Sequence, residues 1–240
     1  MDNPTFNPFR DENDTYYVVL SENREKWAKE RGKGIGGSDM ASIVGYNSWK
    51  TNTQLYEEKI GDREPKDLSN NSAVQYGILA EEYMRATFAE KYKDRFVMFY
   101  EPNAIFVSKQ HDFLRYSPDG ILYDRVTGEY GIYENKTASL LFHAQRSKWE
   151  NNQIPLNYQI QVLHGLNVTG FSFIVTRAEL TYNNMDVDKR EHSYIVVKDQ
   201  YIHIDDENVK SNMKWLKEEA ITFWEDNVLK KQRPKLIVTV

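Results

Sequence analysis

Two hydrophobic periodicities divide the chain, and the change from one to the other falls near residue 96. Across 75–92, Ala80, Met84, Phe88 and Tyr92 recur at every fourth position, the spacing that lines one side of an α-helix. Glu81 stands on the flank of that stripe, beside Met84 and Phe88, so its carboxylate is directed more to the interior than to open water. After Phe96 the apolar positions come in short aromatic and β-branched runs. Residues 96–100, 104–107, 114–116, 120–123 and 130–136 read as strands, with Thr127-Gly128 as a hairpin turn between the last two. Residues 171–177 and 192–197 read as two more. Helices are predicted over 21–33 with Ser21 as N-cap, over 40–44 capped by Ser38 or Asp39, and over 51–60 stopped by Gly61. Three others are predicted over 139–150, 155–167 and 205–231. The last carries an apolar face of Val209, Met213, Leu216, Ala220, Phe223, Trp224 and Val228. Residues 1–20 read as an N-terminal extension with a short strand at 15–20, and 21–240 as one domain. This order of elements predicts an α/β or α+β fold, a mixed central β-sheet flanked by helices.

Composition narrows the chemistry. Hydrophobic residues make up 40 % of the 240, with 16 Tyr, 11 Phe and 5 Trp, which supports a packed core over a disordered chain. Cysteine is absent, so disulfides, thiol catalysis, iron–sulfur clusters and Cys-ligated zinc are excluded. The five histidines, His111, His143, His164, His192 and His203, show no metal-ligand spacing. No apolar run approaches the ~18 residues of a membrane span, and residues 1–16 are polar and acidic, so a cytoplasmic setting is the simplest expectation. A net charge of −5 weighs against a generic nucleic-acid coat, yet an acidic cleft can coexist with a local basic rim.

The chemically informative stretch is Ser117-Pro118-Asp119-Gly120 followed by Tyr133-Glu134-Asn135-Lys136. On a strand, Glu134 and Lys136 share one face and Asn135 takes the other. The hairpin near Gly128 returns this strand beside the one that starts after Asp119, so Asp119 and Glu134 can meet at one edge. Alone, an Asp-Gly after a strand is usually a turn, and a Glu-x-Lys is usually a solvated ion pair. Together they supply what phosphodiester hydrolysis needs: two hard oxygen ligands for Mg²⁺ or Mn²⁺, and a cation to orient water or hold charge on the phosphate.

The pattern Pro118-Asp119…Glu134-Asn135-Lys136 resembles the PD-(D/E)xK nuclease superfamily. Within it, the chain resembles the lambda-type exonucleases, the YqaJ-like viral recombinases. The resemblance runs from about Trp27 to Arg177, through Trp27, Arg31 and the loop Gly34 to Asp39, then Gly45, Trp49, Thr51, Leu55 and Gly61, then Gly77-Ile78-Leu79-Ala80-Glu81, then Tyr158-Gln159-Ile160-Gln161. It implies metal ligation by Asp119, Glu134 and the Asn135 carbonyl, with Glu81 contributing from its helix, directly or through water. It implies that Lys136 positions or activates the attacking water, and that Gln161, with Tyr158 beside it, sits against the metal-bound water or scissile phosphate. Arg31, Ser38 and Ser117 would form a pocket for a terminal 5′-phosphate. The family's further arginine after the Glu-x-Lys motif is missing: Phe142 stands there, with His143 and Arg146 nearby. The implied activity is Mg²⁺-dependent 5′→3′ exonuclease action on double-stranded DNA ends, with Mn²⁺ as a possible substitute. It would come from a phage or prophage protein and leave a 3′-ended strand for a single-strand annealing protein. The implied assembly is a ring-shaped homotrimer. The alternatives are another nuclease of the superfamily, an endonuclease or a RecB-like enzyme, and a non-catalytic DNA-binding recombination accessory module.

Overall fold

The computed structural model describes residues 4–140, 143–150, 153–184 and 192–238. Two sheets organise it. The smaller is antiparallel, with strand order β1 (Tyr16–Leu20), β3 (Ala104–Ser108), β4 (Arg115–Tyr116). The larger runs β2 (Phe96–Phe99), β5 (Gly120–Asp124), β6 (Tyr130–Leu140), β7 (Phe173–Asn184), β8 (His192–His203). Only the β6–β7 pair in it is parallel. A parallel pair needs a crossover connection, and α6 (Leu156–Thr169) lies within it.

Helices cover both faces of the larger sheet. On one side α4 (Ser72–Lys91) buries Phe88 against Phe96, Leu122, Tyr133, Phe173 and Val175. On the other, α6 packs with α2 (Gly37–Ile43) and α7 (Glu207–Thr222) around the main core, which includes Met40, Leu55, Ile132, Leu163, Leu166, Ile174 and Leu216. The remaining helices are α1 (Arg24–Gly32), α3 (Asn52–Ile60) and the short α5 (His143–Arg146), which a 3₁₀ turn follows at Ser147–Trp149. No helix among the described residues is long and apolar enough to cross a membrane. The expected mixed sheet flanked by helices is the observed architecture.

Several boundaries differ from the sequence reading. The α1 cap is Asn23, whose side chain accepts the Lys26 N–H, not Ser21. The α2 cap is Gly36, with neither Ser38 nor Asp39 in that place; Asp39 sits one turn in and accepts the Gly36 N–H at 3.1 Å. The sequence predicts a helix from residue 139, but β6 continues through Leu140. Its partner β7 pairs with it residue by residue from Gly131↔Phe173 to Leu140↔Tyr182, and that ladder overrides local preference at Thr137-Ala138-Ser139. β7 and β8 are likewise longer than expected, because each pairs with the other along its whole length. The terminal helix turns to π geometry over Phe223–Leu229. Its i→i+5 repeat puts Phe223 and Val228, both buried, on one side.

Candidate active site

Backbone topology makes the site. β5 pairs with β6 from Tyr123↔Tyr130 to Gly120↔Tyr133, and there the ladder stops. Upstream of Gly120 the chain leaves for the other sheet through Ser117-Pro118-Asp119, so β6 runs on without its β5 neighbour. The Asp119 carboxylate fills the vacated place: its Oδ2 accepts the Asn135 N–H at 2.7 Å. An extended residue points its N–H and C=O to the same side, so the Asn135 carbonyl faces this edge too.

Glu134 is buried and held on both oxygens. Lys136 Nζ donates to Oε1 at 2.8 Å and Gln161 Nε2 to the same oxygen at 2.5 Å. The Tyr116 hydroxyl donates to Oε2 at 2.7 Å. Lys136 also donates to Gln161 Oε1 at 3.1 Å and lies 4.9 Å from the centre of the Tyr158 ring. The alternation of β6 aims Glu134 and Lys136 at α6, where Tyr158 and Gln161 share a helix face. Asn135 points the other way, its Nδ2 toward the Glu81 carbonyl of α4 at 3.4 Å, and its buried Oδ1 has no hydrogen-bond partner among the described residues.

These groups open on a cavity of about 270 Å³, lined by Asp119, Glu134, Asn135, Lys136, Gln161 and Glu81 on one side and by Arg24, Trp27, Arg31 and Ser117 on the other. Arg24 stacks on the Trp27 indole 3.9 Å from its centre, and Arg31 lies 5.2 Å away. Trp27 Nε1 donates to Ser117 Oγ at 2.9 Å, which ties α1 to the crossover loop. Arg31 Nη2 donates to Ser38 Oγ at 2.8 Å. The Ser117 hydroxyl donates to the Ala104 carbonyl at 2.5 Å, so serving a phosphate would require giving up that bond.

The electrostatics are those of crowded carboxylates. Burial, then the charge of Glu134, pushes the Asp119 carboxyl well above the ordinary range; Lys136 opposes this, Glu81 adds to it, and the Asn135 N–H only partly offsets it. Burial likewise raises Glu81, against the opposing charges of Arg85 and Arg24. For Lys136 burial works to lower the pKa, but Glu134 and Asp119 outweigh it and the net direction is up, so the side chain is an ammonium. Burial and Glu134 hold the Tyr116 phenol protonated. A divalent cation between Asp119 and Glu134 would relieve their mutual repulsion, and the donors on offer are all oxygen, the set that Mg²⁺ and Mn²⁺ take. Among the described residues no three His, Asp or Glu side chains close on one point as a metal cluster. Glu81 lines the cavity without completing such a group.

The structure thus gathers Asp119, Glu134, Asn135, Lys136, Glu81 and Gln161 around one cavity, with Tyr158 behind Lys136 and with Arg31 and Ser117 across the opening. Phe142 lies outside the described residues. Arg146 sits over the Tyr182 ring at 5.6 Å and is not among the residues lining the cavity. Two residues escaped the sequence reading. Arg24 lines the opening, and its spacing to Trp27 and Arg31, three and seven positions, was the available signal of a shared helix face. Tyr116 had no local signal.

A family model described as the YqaJ-like viral recombinase domain matches residues 26–172. An uncharacterized protein, YqaJ, of Bacillus subtilis (strain 168) is 32 % identical over 223 residues, which are 91 % of this chain and 62 % of that relative. The chain therefore spans 62 % of that relative's length. Among solved structures, LHK-Exo in complex with dAMP gives a TM-score of 0.59 at 15 % identity, covering 87 % of this chain and 96 % of that one. The alkaline exonuclease LHK-Exo from Laribacter hongkongensis gives 0.54 at 14 % identity, covering 87 % and 97 %. At these identities the likeness speaks for the fold.

Proposed function

The chain belongs to the YqaJ-like viral recombinase family, and on that premise we propose that it is a divalent-metal-dependent deoxyribonuclease, a 5′→3′ exonuclease on double-stranded DNA ends. One observation carries the reading: two carboxylates and an ammonium converge at the single edge where the β5–β6 ladder ends, with Asp119 Oδ2 2.7 Å from the Asn135 nitrogen and Lys136 Nζ 2.8 Å from Glu134. Asp119 and Glu134, with the Asn135 carbonyl and Glu81 nearby, would hold Mg²⁺ or Mn²⁺, which when bound polarises a phosphoryl oxygen and acidifies a water.

The protein's own groups do the rest. Lys136, fixed by Glu134 and Gln161, presents an N–H to the attacking water or to charge growing on the phosphate, at a position set before substrate arrives. Gln161 keeps Glu134 in one rotamer while its own oxygen keeps Lys136 in place. Across the opening, Arg31 offers forked donors suited to a phosphate, and the Trp27–Ser117 bond sets how far α1 stands from Asp119. A phosphate bound by Arg31 and a scissile phosphate beside Lys136 would both fall within one cavity, which suits removal of nucleotides from a phosphorylated end. A single-strand annealing partner and a ring of three chains belong to the same reading, and light scattering on the purified protein measures the ring.

The test is digestion of a linear duplex labelled at either end, with Mg²⁺ and with Mg²⁺ plus excess chelator, beside a closed circular duplex. Label should leave the 5′ end first, only with free metal, and the circle should stay intact. Cutting of the circle would overturn exonuclease action in favour of an endonuclease. Binding without cleavage would mark an accessory DNA-binding module, and cleavage under chelator would remove the metal.

A further inference from the structure

Tyr116 is buried in the main core, 2 % exposed, and its hydroxyl donates to Glu134 Oε2 at 2.7 Å. Two helices make room for its ring by carrying no side chain where it passes. A Cβ on Gly37 of α2 would stand 2.8 Å from Tyr116 Cε2, and one on Gly165 of α6 would stand 2.7 Å from its Cζ. Real Cβ atoms do not approach so closely, so both glycines are space reserved for a phenol. The same Gly37 position would meet Gln161 Cγ at 2.9 Å. One glycine therefore admits both neutral groups that hold Glu134.

We infer that Tyr116 is a positioning residue: it holds the Glu134 carboxylate in one orientation at the cavity it lines with Asp119, where a divalent cation would bind. This rests on the metal-dependent reading above. With Oε1 taken by Lys136 and Gln161, the Tyr116 bond is what stops the carboxylate from rotating about its last torsion. A partner that orients a ligand in this way typically contributes about 10- to 100-fold in metal affinity.

The experiment compares Tyr116→Phe with Tyr133→Phe by titrating Mn²⁺ into each metal-free protein and following free Mn²⁺ by electron paramagnetic resonance. Tyr133 is a fitting control, since it too is buried and loses one hydrogen bond, to the Met84 carbonyl, but touches no carboxylate. Tyr116→Phe should weaken Mn²⁺ binding about 10-fold or more, with Tyr133→Phe within twofold of the wild type. Equal losses in both, or none in Tyr116→Phe, overturn the assignment. Should Tyr116→Phe not fold, wild type and Tyr133→Phe are compared instead by ultraviolet difference spectroscopy on adding Mg²⁺: a cation that draws on the Glu134 charge should perturb a buried tyrosine band equally in both, and no tyrosine difference signal in either overturns the assignment. Failure of the wild type to bind Mn²⁺ strikes the metal-dependent reading itself, a result distinct from binding that Tyr116→Phe leaves untouched.

Discussion

Replacing Lys136 by methionine keeps the aliphatic stem and removes the charge. The Glu134 side chain is 4 % exposed and that of Lys136 12 %, so the 2.8 Å pair lies largely out of water. Deleting one partner of such a pair leaves a buried charge, at a cost of about 3–5 kcal/mol. Tyr116 and Gln161 go on donating to Glu134, which places the expectation at the low end, about 3 kcal/mol. For a chain of this size that lowers Tm by about 6–12 °C in metal-free buffer. Catalysis should suffer more: loss of a positioned proton-transfer or charge-stabilising group removes about 10²- to 10⁴-fold in rate. The assays are a metal-free thermal melt and single-turnover cleavage of a linear duplex at saturating Mg²⁺. Duplex binding with Ca²⁺ in place of Mg²⁺ should stay within a few-fold of the wild type. A Lys136→Met protein that cleaves within tenfold of the wild-type rate, or melts at the same temperature, would refute the reasoning.

Arg31→Ala should erase most of any preference for 5′-phosphate over 5′-hydroxyl ends, read as the ratio of kcat/KM values. Arg24→Ala, at the exposed opening, should instead weaken both kinds of end alike and reduce the salt slope of binding by about 1. Because Asp119 and Glu81 are raised in the metal-free protein, metal binding should release protons, and metal affinity should climb as pH rises. Calorimetry in buffers of different ionisation enthalpy, repeated across a pH series, measures the release; none detected at any pH of the series removes the carboxylate competition. For Asp39, burial works to raise the carboxyl, but Lys59 at 2.8 Å and Arg31 outweigh it and bring the group from 3.8 to about 2. A depressed carboxylate stabilises above its unfolded pKa, and that contribution is lost as pH falls through about 2, worth about 2 kcal/mol. Lys59→Met should accordingly flatten the wild-type loss of stability below pH 4, as followed by urea unfolding.

What was legible in the sequence was legible because it is local. The period-2 alternation of Glu134-Asn135-Lys136 fixed which side chains share a face, and the turn at Thr127-Gly128 implied that Asp119 returns beside them. The every-fourth stripe on α4 pointed correctly to Ala80, Met84 and Phe88 as buried. Other features depend on distant partners. The extension of β6 through Leu140 is imposed by β7, some forty positions on. The sequence places the cap of α1 at Ser21, whereas the loop that enters the helix puts Asn23 there. Tyr116 reaches Glu134 across 18 positions, through space left by glycines on two helices, and no periodicity reports such a slot.

The crossover at Ser117-Pro118-Asp119 carries β4 of one sheet directly into β5 of the other. Its serine is gripped from α1, while its aspartate, two positions later, grips the flank of β6 that β5 leaves unpaired. The segment is therefore a short lever with a hand at each end. A displacement of α1 would pass through Ser117 to Asp119, so on the proposed reading the seating of a DNA end and the gap between the two acidic groups would be linked.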